Sequence, residues 1–534
     1  MVFNILAQAA CWAFTLVARI SGKAGCTCYG EPAAFTNQGL VTGFADSNGS
    51  AVFLGIPFAA STEGENRWKE PQPAPLFRKP FNASNYGQTC AQASSDAAWS
   101  PQGEDCLNLN IWAPSSGKNL PVFVYIYGGA MVTGSSSNTQ LQGNNFARKG
   151  VIYVSFNHRE SIFASPNSGE LGESQNFGIL DVEMAVEWVH RNIRAFGGDP
   201  KRIVLGGHSS GAVQVDHYLW NHPHTHLAGA IEMSANSASG PAYAPQNVGL
   251  DVVAAEVGCP TGAGQLDCLR TKSISEIETA NFNSTTNTWF TPVVDGITRY
   301  SVAEYTERFA AGKYPSNVPL ITGNSAGEGT IFGIVYGAEN TNFSSWINTF
   351  DADSAHIPDE ALLAAYNASD FASVSLMSGA QYGDARFNCP VDYFVDLRSA
   401  AQKTWEYRWF GAYDNVVGPP GTAPTHGTEV PFFMGGNECF SALSNVTAEQ
   451  QALADFTNNW FVNWIKNPAA GPGWAQVQPA SNSGVVMKLG VSGNETALIE
   501  AKRNDFNGIC QSVYKQYLPK YPVVQNPVTL AASS

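Results

Sequence analysis

The run Gly207-His208-Ser209-Ser210-Gly211 dictates more local geometry than any other stretch of this 534-residue chain. An apolar strand, Ile203-Val204-Leu205, leads into Gly206-Gly207, and Ala212-Val213 with Tyr218-Leu219 beyond them predicts a helix on the far side. A serine presented on so sharp a strand-to-helix turn sits in a strained backbone conformation, so the positions two before and two after it must be nearly bare. Gly207 and Gly211 meet that need. In a chain with 51 glycines the five-residue match means little alone. Its weight comes from context: a strand before, a helix after, then an acid and a histidine later in the chain, in that order.

Strands alternating with helical segments predict an α/β protein. Ala51 to Ala59, Gly103 to Trp112, Pro121 to Tyr127, Val151 to Phe156, Ala228 to Ser234, Val318 to Thr322 and Trp405 to Tyr413 read as strands. Between Asn176 and Phe196, Leu180, Met184, Trp188, Val189 and Ile193 fall at helical spacing, which makes this segment the crossover delivering the chain to the strand before Ser209. Chemistry then belongs on the loops after strand ends, where open α/β sheets place their sites. No linker, charge block or repeat divides the chain, so residues 26–534 read as one catalytic domain.

Residues 1–25 carry an apolar run from about Ile5 to Val17, then Arg19 and small residues near Ala24 and Gly25. They read as a secretory signal peptide; an amphiphilic anchor is the rival reading. No later segment holds the roughly 18 apolar residues that cross a bilayer. Ten cysteines and the Asn-x-Ser/Thr sequons at Asn48, Asn82, Asn283, Asn342, Asn367, Asn445 and Asn494 fit an oxidising route, a glycosylated surface and a secreted, extracellular product. The net charge of −15 argues against nucleic acid as a partner, which needs clustered Lys and Arg.

Glu104-Asp105-Cys106-Leu107, the Gly55-Ile56-Pro57 run and Phe196-Gly-Gly-Asp-Pro200 ahead of the serine turn resemble the type-B carboxylesterase/lipase family, which includes cholinesterases and fungal esterases and lipases. The likeness runs from about residue 36 to residue 519. It implies the α/β-hydrolase fold, a large, mostly parallel central sheet flanked by helices. It also implies a Ser209 nucleophile, a His426 base within His426-Gly-Thr-Glu-Val-Pro-Phe432, and a Glu328 acid within Gly327-Glu-Gly329. A serine hydroxyl is a poor nucleophile until a base takes its proton and an acid holds that base in the right tautomer. The oxyanion donors implied are the backbone N–H groups of Gly129, Ala130 and Ser210. Ala130 stands where the family often has glycine, and His208 and Ser210 where it often has Glu and Ala. Trp289 to Gly296 resembles the family's border of the acyl pocket, with core packing an equal reading for Trp289 and Phe290.

Two histidine features invite other readings. His208 adjoins the nucleophile, but on a sharp turn neighbouring side chains point apart. His222-Pro-His224-Thr-His226 alternates as a metal site would, yet without an obvious set of carboxylate or thiolate companions it reads as surface loop.

The resemblance also pairs Cys90 with Cys106, Cys259 with Cys268 and Cys389 with Cys510, leaving Cys26, Cys28 and Cys439 unassigned. Family lipases carry a long apolar lid in the first of these loops. Here it spans only residues 91–105, with Gln92, Ser94, Ser95, Asp96 and Gln102, which points to an esterase of dissolved esters that needs no lipid interface. The function implied is a secreted serine carboxylesterase working through an acyl-enzyme, with a small-molecule ester as substrate, no stable membrane insertion, and neither metal nor organic cofactor. A lipase or acyltransferase of the same fold is the alternative, and a non-catalytic cholinesterase-like binding module the third.

Overall fold

A computed structural model describes residues 26–521 and 524–525, apart from 29–30, 93–98, 173, 241, 244–248, 284–289, 352, 417–421, 437–439, 441–442, 444 and 479–483. The leader, Trp289, Cys439 and the tip of the 91–105 loop lie outside the described residues, as do the side chains of Cys26 and Cys28.

Eleven strands make one twisted sheet. In chain order they are β1 (Phe44–Ala45), β2 (Ala51–Pro57), β3 (Asn108–Ala113), β4 (Leu120–Ile126), β5 (Ile152–Phe156), β6 (Gly198–His208), β7 (Gly229–Met233), β8 (Leu320–Ser325), β9 (Thr404–Trp409), β10 (Val485–Leu489) and β11 (Ile499–Lys502). They lie side by side as β11-β10-β9-β8-β7-β6-β4-β5-β3-β2-β1. From β5 to β10 every neighbour is parallel, while β3, β2 and β1 at one edge and β11 at the other are antiparallel. A four-stranded sheet formed by Cys26–Cys28, Glu31–Thr36, Gly39–Thr42 and Phe81–Asn82 stands apart from it.

The two faces of the sheet divide by the two-residue period of a strand. Along β4, Val122, Val124 and Ile126 enter one core, where Val182, Val186 and Val189 of helix α1 (Phe177–Asn192) cover them. Phe123 and Tyr125 enter the other, where Phe461 of α3 (Ala448–Lys466) meets the Phe123 ring edge-on at 5.3 Å. Helix α2 (Ser210–Asn221) follows β6 directly. Burying parallel strands on both faces accounts for their near-continuous apolar runs.

Two expectations need adjustment. The Gly103–Trp112 strand starts only at Asn108: Gly103 pairs with Cys90 in a separate two-stranded ladder, and Glu104 is buried against Arg67 (Nη2 to Oε2, 2.5 Å). In α1, Leu180 and Met184 are only half-buried; the stripe facing the sheet is Val182, Ala185, Val186 and Val189. Ala185 carries too little side chain to reveal that face by pattern.

Candidate active site

Ser209 sits at the break between β6 and α2 with φ 57° and ψ −127°, a region L residues avoid. Its neighbours show why the turn is glycine-bounded. A Cβ on Gly207 would lie 2.4 Å from the carbonyl of Gly211, and one on Gly211 would lie 2.2 Å from the Ile126 oxygen at the end of β4. The turn is therefore pressed against main chain on both sides.

The loop after β4 leans on the same turn. A Cβ on Gly128 would fall 2.6 Å from the His208 oxygen and 2.8 Å from Ser209 Cβ, and one on Gly129 would strike the Thr133 oxygen. Gly129, Ala130 and Met131 all have positive φ, at 143°, 58° and 61°. Ala130 thus holds a left-handed conformation that glycine would adopt without strain. As the first residue of α2, Ser210 has an N–H with no partner inside the helix.

Glu328 and His426 come from the loops after β8 and β9, and main-chain bonds fasten those loops together: Gly327 N–H to Pro424 O at 2.9 Å and His426 N–H to Glu328 O at 3.2 Å. His426 Nδ1 lies 2.6 Å from Glu328 Oε2, while Ser325 N–H donates to Glu328 Oε1 at 2.7 Å. With the carboxylate as acceptor, the imidazole carries its hydrogen on Nδ1 and leaves Nε2 with a lone pair. That Nε2 is buried and takes no hydrogen bond among the described residues, so the bond from Ser209 Oγ is not closed here. Burial disfavours charge on both partners, pushing Glu328 up and His426 down to about 4.

Aromatic rings fix the His426 plane: Phe387 at 4.4 Å, His208 at 4.6 Å and Phe332 at 5.4 Å between centroids. Phe332 and Phe387 line, together with Ser209, Ser210 and Ala130, a cavity of about 700 Å³ counting its open mouth. His208 is therefore not turned away from the other histidine. It backs that ring as a neutral group, its pKa lowered to about 3 chiefly by burial and next by His426.

Glu429 stands inside the His426 motif read from the sequence, where it is assigned no role of its own. It is fully buried, accepts from Ser234 Oγ at 2.7 Å and Ser325 Oγ at 2.9 Å, and places Oε1 3.8 Å from His208 Nε2. Its only signal was its position three residues after His426.

Thr291 and Pro292 line the cavity, whereas Phe290 packs into a separate core with Trp68 and Phe163. Among the described residues the disulfides are Cys90–Cys106, Cys259–Cys268 and Cys389–Cys510. Gln92, in the 91–105 loop, does not face solvent: it is buried, donating to Gly134 O and accepting from Thr133 Oγ1 and Gly134 N–H. The loop base is thereby tied to the segment that carries Gly129 and Ala130.

The His222–His226 loop does have acidic company, supplied by α1. His222 Nε2 lies 3.5 Å from Glu183 Oε2, and His226 stacks on His190 at 5.2 Å. Among the described residues no three His, Cys, Asp or Glu side chains gather as a metal would require, and no helix is long and apolar enough to cross a membrane.

The model of the Carboxylesterase family matches residues 30–507. Chlorogenic acid esterase of Aspergillus niger is 28% identical over 475 residues, covering 82% of this chain and 83% of that one. Para-nitrobenzyl esterase of Bacillus subtilis is 29% identical over 465 residues, covering 81% and 90%. A solved structure of PNB esterase superposes with a TM-score of 0.75 at 23% identity, over 90% of this chain and 99% of the other.

Proposed function

The chain belongs to the Carboxylesterase family, has the α/β-hydrolase fold and is a carboxylic ester hydrolase, and from that premise we propose that it is a secreted serine esterase with Ser209 as nucleophile, His426 as base and Glu328 as the acid behind it. Residues 26–534 act in this reading as one catalytic domain. The observation that carries it is the 2.6 Å contact between His426 Nδ1 and Glu328 Oε2, beside a serine held at φ 57°.

Ser209 Oγ attacks the ester carbonyl carbon and its proton passes to Nε2 of His426. The carbonyl oxygen gains the electron pair and is met by the N–H groups of Gly129, Ala130 and Ser210. The tetrahedral centre then collapses, the alcohol leaves with the proton from His426, and Ser209 is acylated. Water, deprotonated by the same imidazole, repeats the attack and frees the acid. Each oxyanion donor contributes about 3 to 4 kcal/mol of barrier lowering in such sites. The disulfides support an oxidising compartment and hence secretion. The stapled base of the 91–105 loop, anchored by Gln92, supports action on dissolved esters.

The test is covalent. A fluorophosphonate probe followed by peptide mapping should place the label on Ser209, and Ser209→Ala should lose about 10⁶-fold in turnover while keeping its fold. A label on a different serine overturns the assignment.

A further inference from the structure

The cavity beside Ser209 has little polar capacity to spare. Met131, Val213, Ala235 and Phe387 pack together in its wall, with Phe332 and Tyr382 against them. Its two arginines are spent on the protein. Arg386, in the π-helical turn Asp384–Asn388, pairs through Nη1 with Asp353 at 2.6 Å and through Nη2 with Asp351 at 2.8 Å. Arg299 donates from Nη1 to Pro292 O at 2.8 Å and from Nη2 to Gly240 O at 3.0 Å. No carboxylate lines the cavity among the described residues. A charged acyl group would therefore meet no uncommitted opposite charge.

Ser210 is the exception in this wall. It stands where the family often has alanine, and it is 8% exposed. Its Oγ makes no hydrogen bond among the described residues. The Ser378 hydroxyl also lacks a partner but is shut inside the protein; the Ser210 hydroxyl is not, and the open space beside Ser210 is this cavity. An O–H set in an apolar wall gains most from an acceptor that enters with the substrate.

The surroundings narrow what that acceptor is. In the mechanism above, the N–H groups of Gly129, Ala130 and Ser210 meet the carbonyl oxygen, one for each lone pair of the oxyanion, and leave no place for a further donor. The N and Oγ of a serine are as many bonds apart as a carbonyl oxygen and an oxygen on the neighbouring α-carbon. A substrate whose carbonyl oxygen sits on the Ser210 N–H can thus set an α-oxygen against the Ser210 O–H. Thr291 and Pro292, from the segment that resembles the border of the acyl pocket, line the same cavity, which puts the acyl side of the ester beside this hydroxyl. We propose that Ser210 is a specificity-determining residue whose hydroxyl donates to an oxygen on the α-carbon of the acyl group, so that esters of 2-alkoxy and 2-hydroxy acids are favoured over those of plain alkanoic acids. This rests on the reading of Ser209 as the nucleophile.

Ethyl methoxyacetate and ethyl butyrate differ only by an oxygen in place of a methylene, and acid release in a pH-stat gives kcat/KM for each. The α-oxygen also activates the ester toward any nucleophile, but equally for wild type and variant. The readout is therefore the methoxyacetate-to-butyrate ratio in wild type divided by the same ratio in Ser210→Ala. Loss of one hydrogen bond should bring that quotient to about ten. Ser210→Cys, with a similar shape and a weaker donor, should give an intermediate value. A quotient below about three, whether Ser210→Ala slows both esters or neither, overturns the proposal. With the oxygen moved one carbon out, in ethyl 3-methoxypropionate against ethyl valerate, the quotient should stay near one; an equally high value there overturns the α-placement. Ser209→Ala separates the two readings. Turnover that survives in Ser209→Ala sinks the nucleophile assignment and this proposal with it, whereas turnover that it abolishes, with a quotient near one, removes the Ser210 preference alone.

Discussion

With His426 as the proposed base, a protonated Nε2 cannot take the proton of Ser209, so kcat/KM should fall as the imidazole charges. An exposed histidine, with its pKa near 6.5, would keep only about a tenth of the plateau rate at pH 5.5. Burial lowers His426 to about 4, so the neutral, active form persists further into acid. Glu328, raised to about 7 by burial, titrates above that and its charge selects the Nδ1–H tautomer, so kcat/KM for an uncharged ester should fall in two steps, first as Glu328 protonates near pH 7 and again as the imidazole charges near pH 4. In Glu328→Gln the upper step should be absent, and a limb near 6.5 that survives there would contradict the buried base. Glu328→Gln keeps the side-chain shape and a contact to Nδ1 but removes the fixed acceptor charge that selects the Nδ1–H tautomer. It should cost on the order of 10⁴ in kcat, the loss seen when a triad acid becomes an amide. A loss under tenfold would mean that Glu328 only packs there.

At the scale of elements, the elbow is a contact between three pieces of main chain: the end of β6, the start of α2 and the end of β4. Gly211→Ala tests it. The added methyl would sit 2.2 Å from the Ile126 oxygen and 2.6 Å from the Tyr127 oxygen, neither of which can swing aside as a side chain would. The substitution should cost at least about 3 kcal/mol, the upper end for overpacking, and shift Ser209 enough to depress kcat. Gly508 is the control. It lies inside the helix Asn504–Ser512, and an added methyl there would have nothing within 4 Å, so Gly508→Ala should be neutral or gain up to about 1 kcal/mol in chemical denaturation. Equal effects at the two sites would refute the contact argument. The elbow was legible in sequence because steric need is local: a strained serine demands bare neighbours at fixed offsets. What lies across the site was not legible. The His208 ring behind His426 and the Glu183 that meets His222 arrive from other elements, and their offsets along the chain carry no period; Glu429 shares the His426 turn, but its partners Ser234 and Ser325 come from elsewhere. The half-buried Leu180 and Met184 show the same limit in a regular helix, where a small Ala185 marks the packed face. Arg386 is a further case, because its place beside the cavity depends on a π-turn that no spacing rule announces.

Across the whole molecule, the far side of that π-turn is where the chain closes on itself. Cys389 begins the helix Cys389–Arg398, and Cys510 lies in the helix Asn504–Ser512; their disulfide spans 121 residues. Between these helices Arg503 reaches Glu406 of β9 at 2.6 Å, Asp396 at 2.6 Å, and Asp392. The folded contact is therefore doubly made, by a covalent link and by a buried ion cluster, whereas in the unfolded chain only the disulfide persists. Its effect should fall on the unfolded state: a loop of that length restricts the open chain by about 4 to 5 kcal/mol on the chain-entropy account. The Cys389→Ser/Cys510→Ser pair should accordingly lose about 2 to 5 kcal/mol in denaturant unfolding, yet keep kcat/KM per folded molecule within about twofold, because the Arg503 cluster still holds the helices. Unchanged stability, with or without a collapsed site, would show that the link acts on local geometry instead. The expected pattern also ties the fold to its compartment, since a chain that depends on this closure for its margin is best served where thiols stay oxidised.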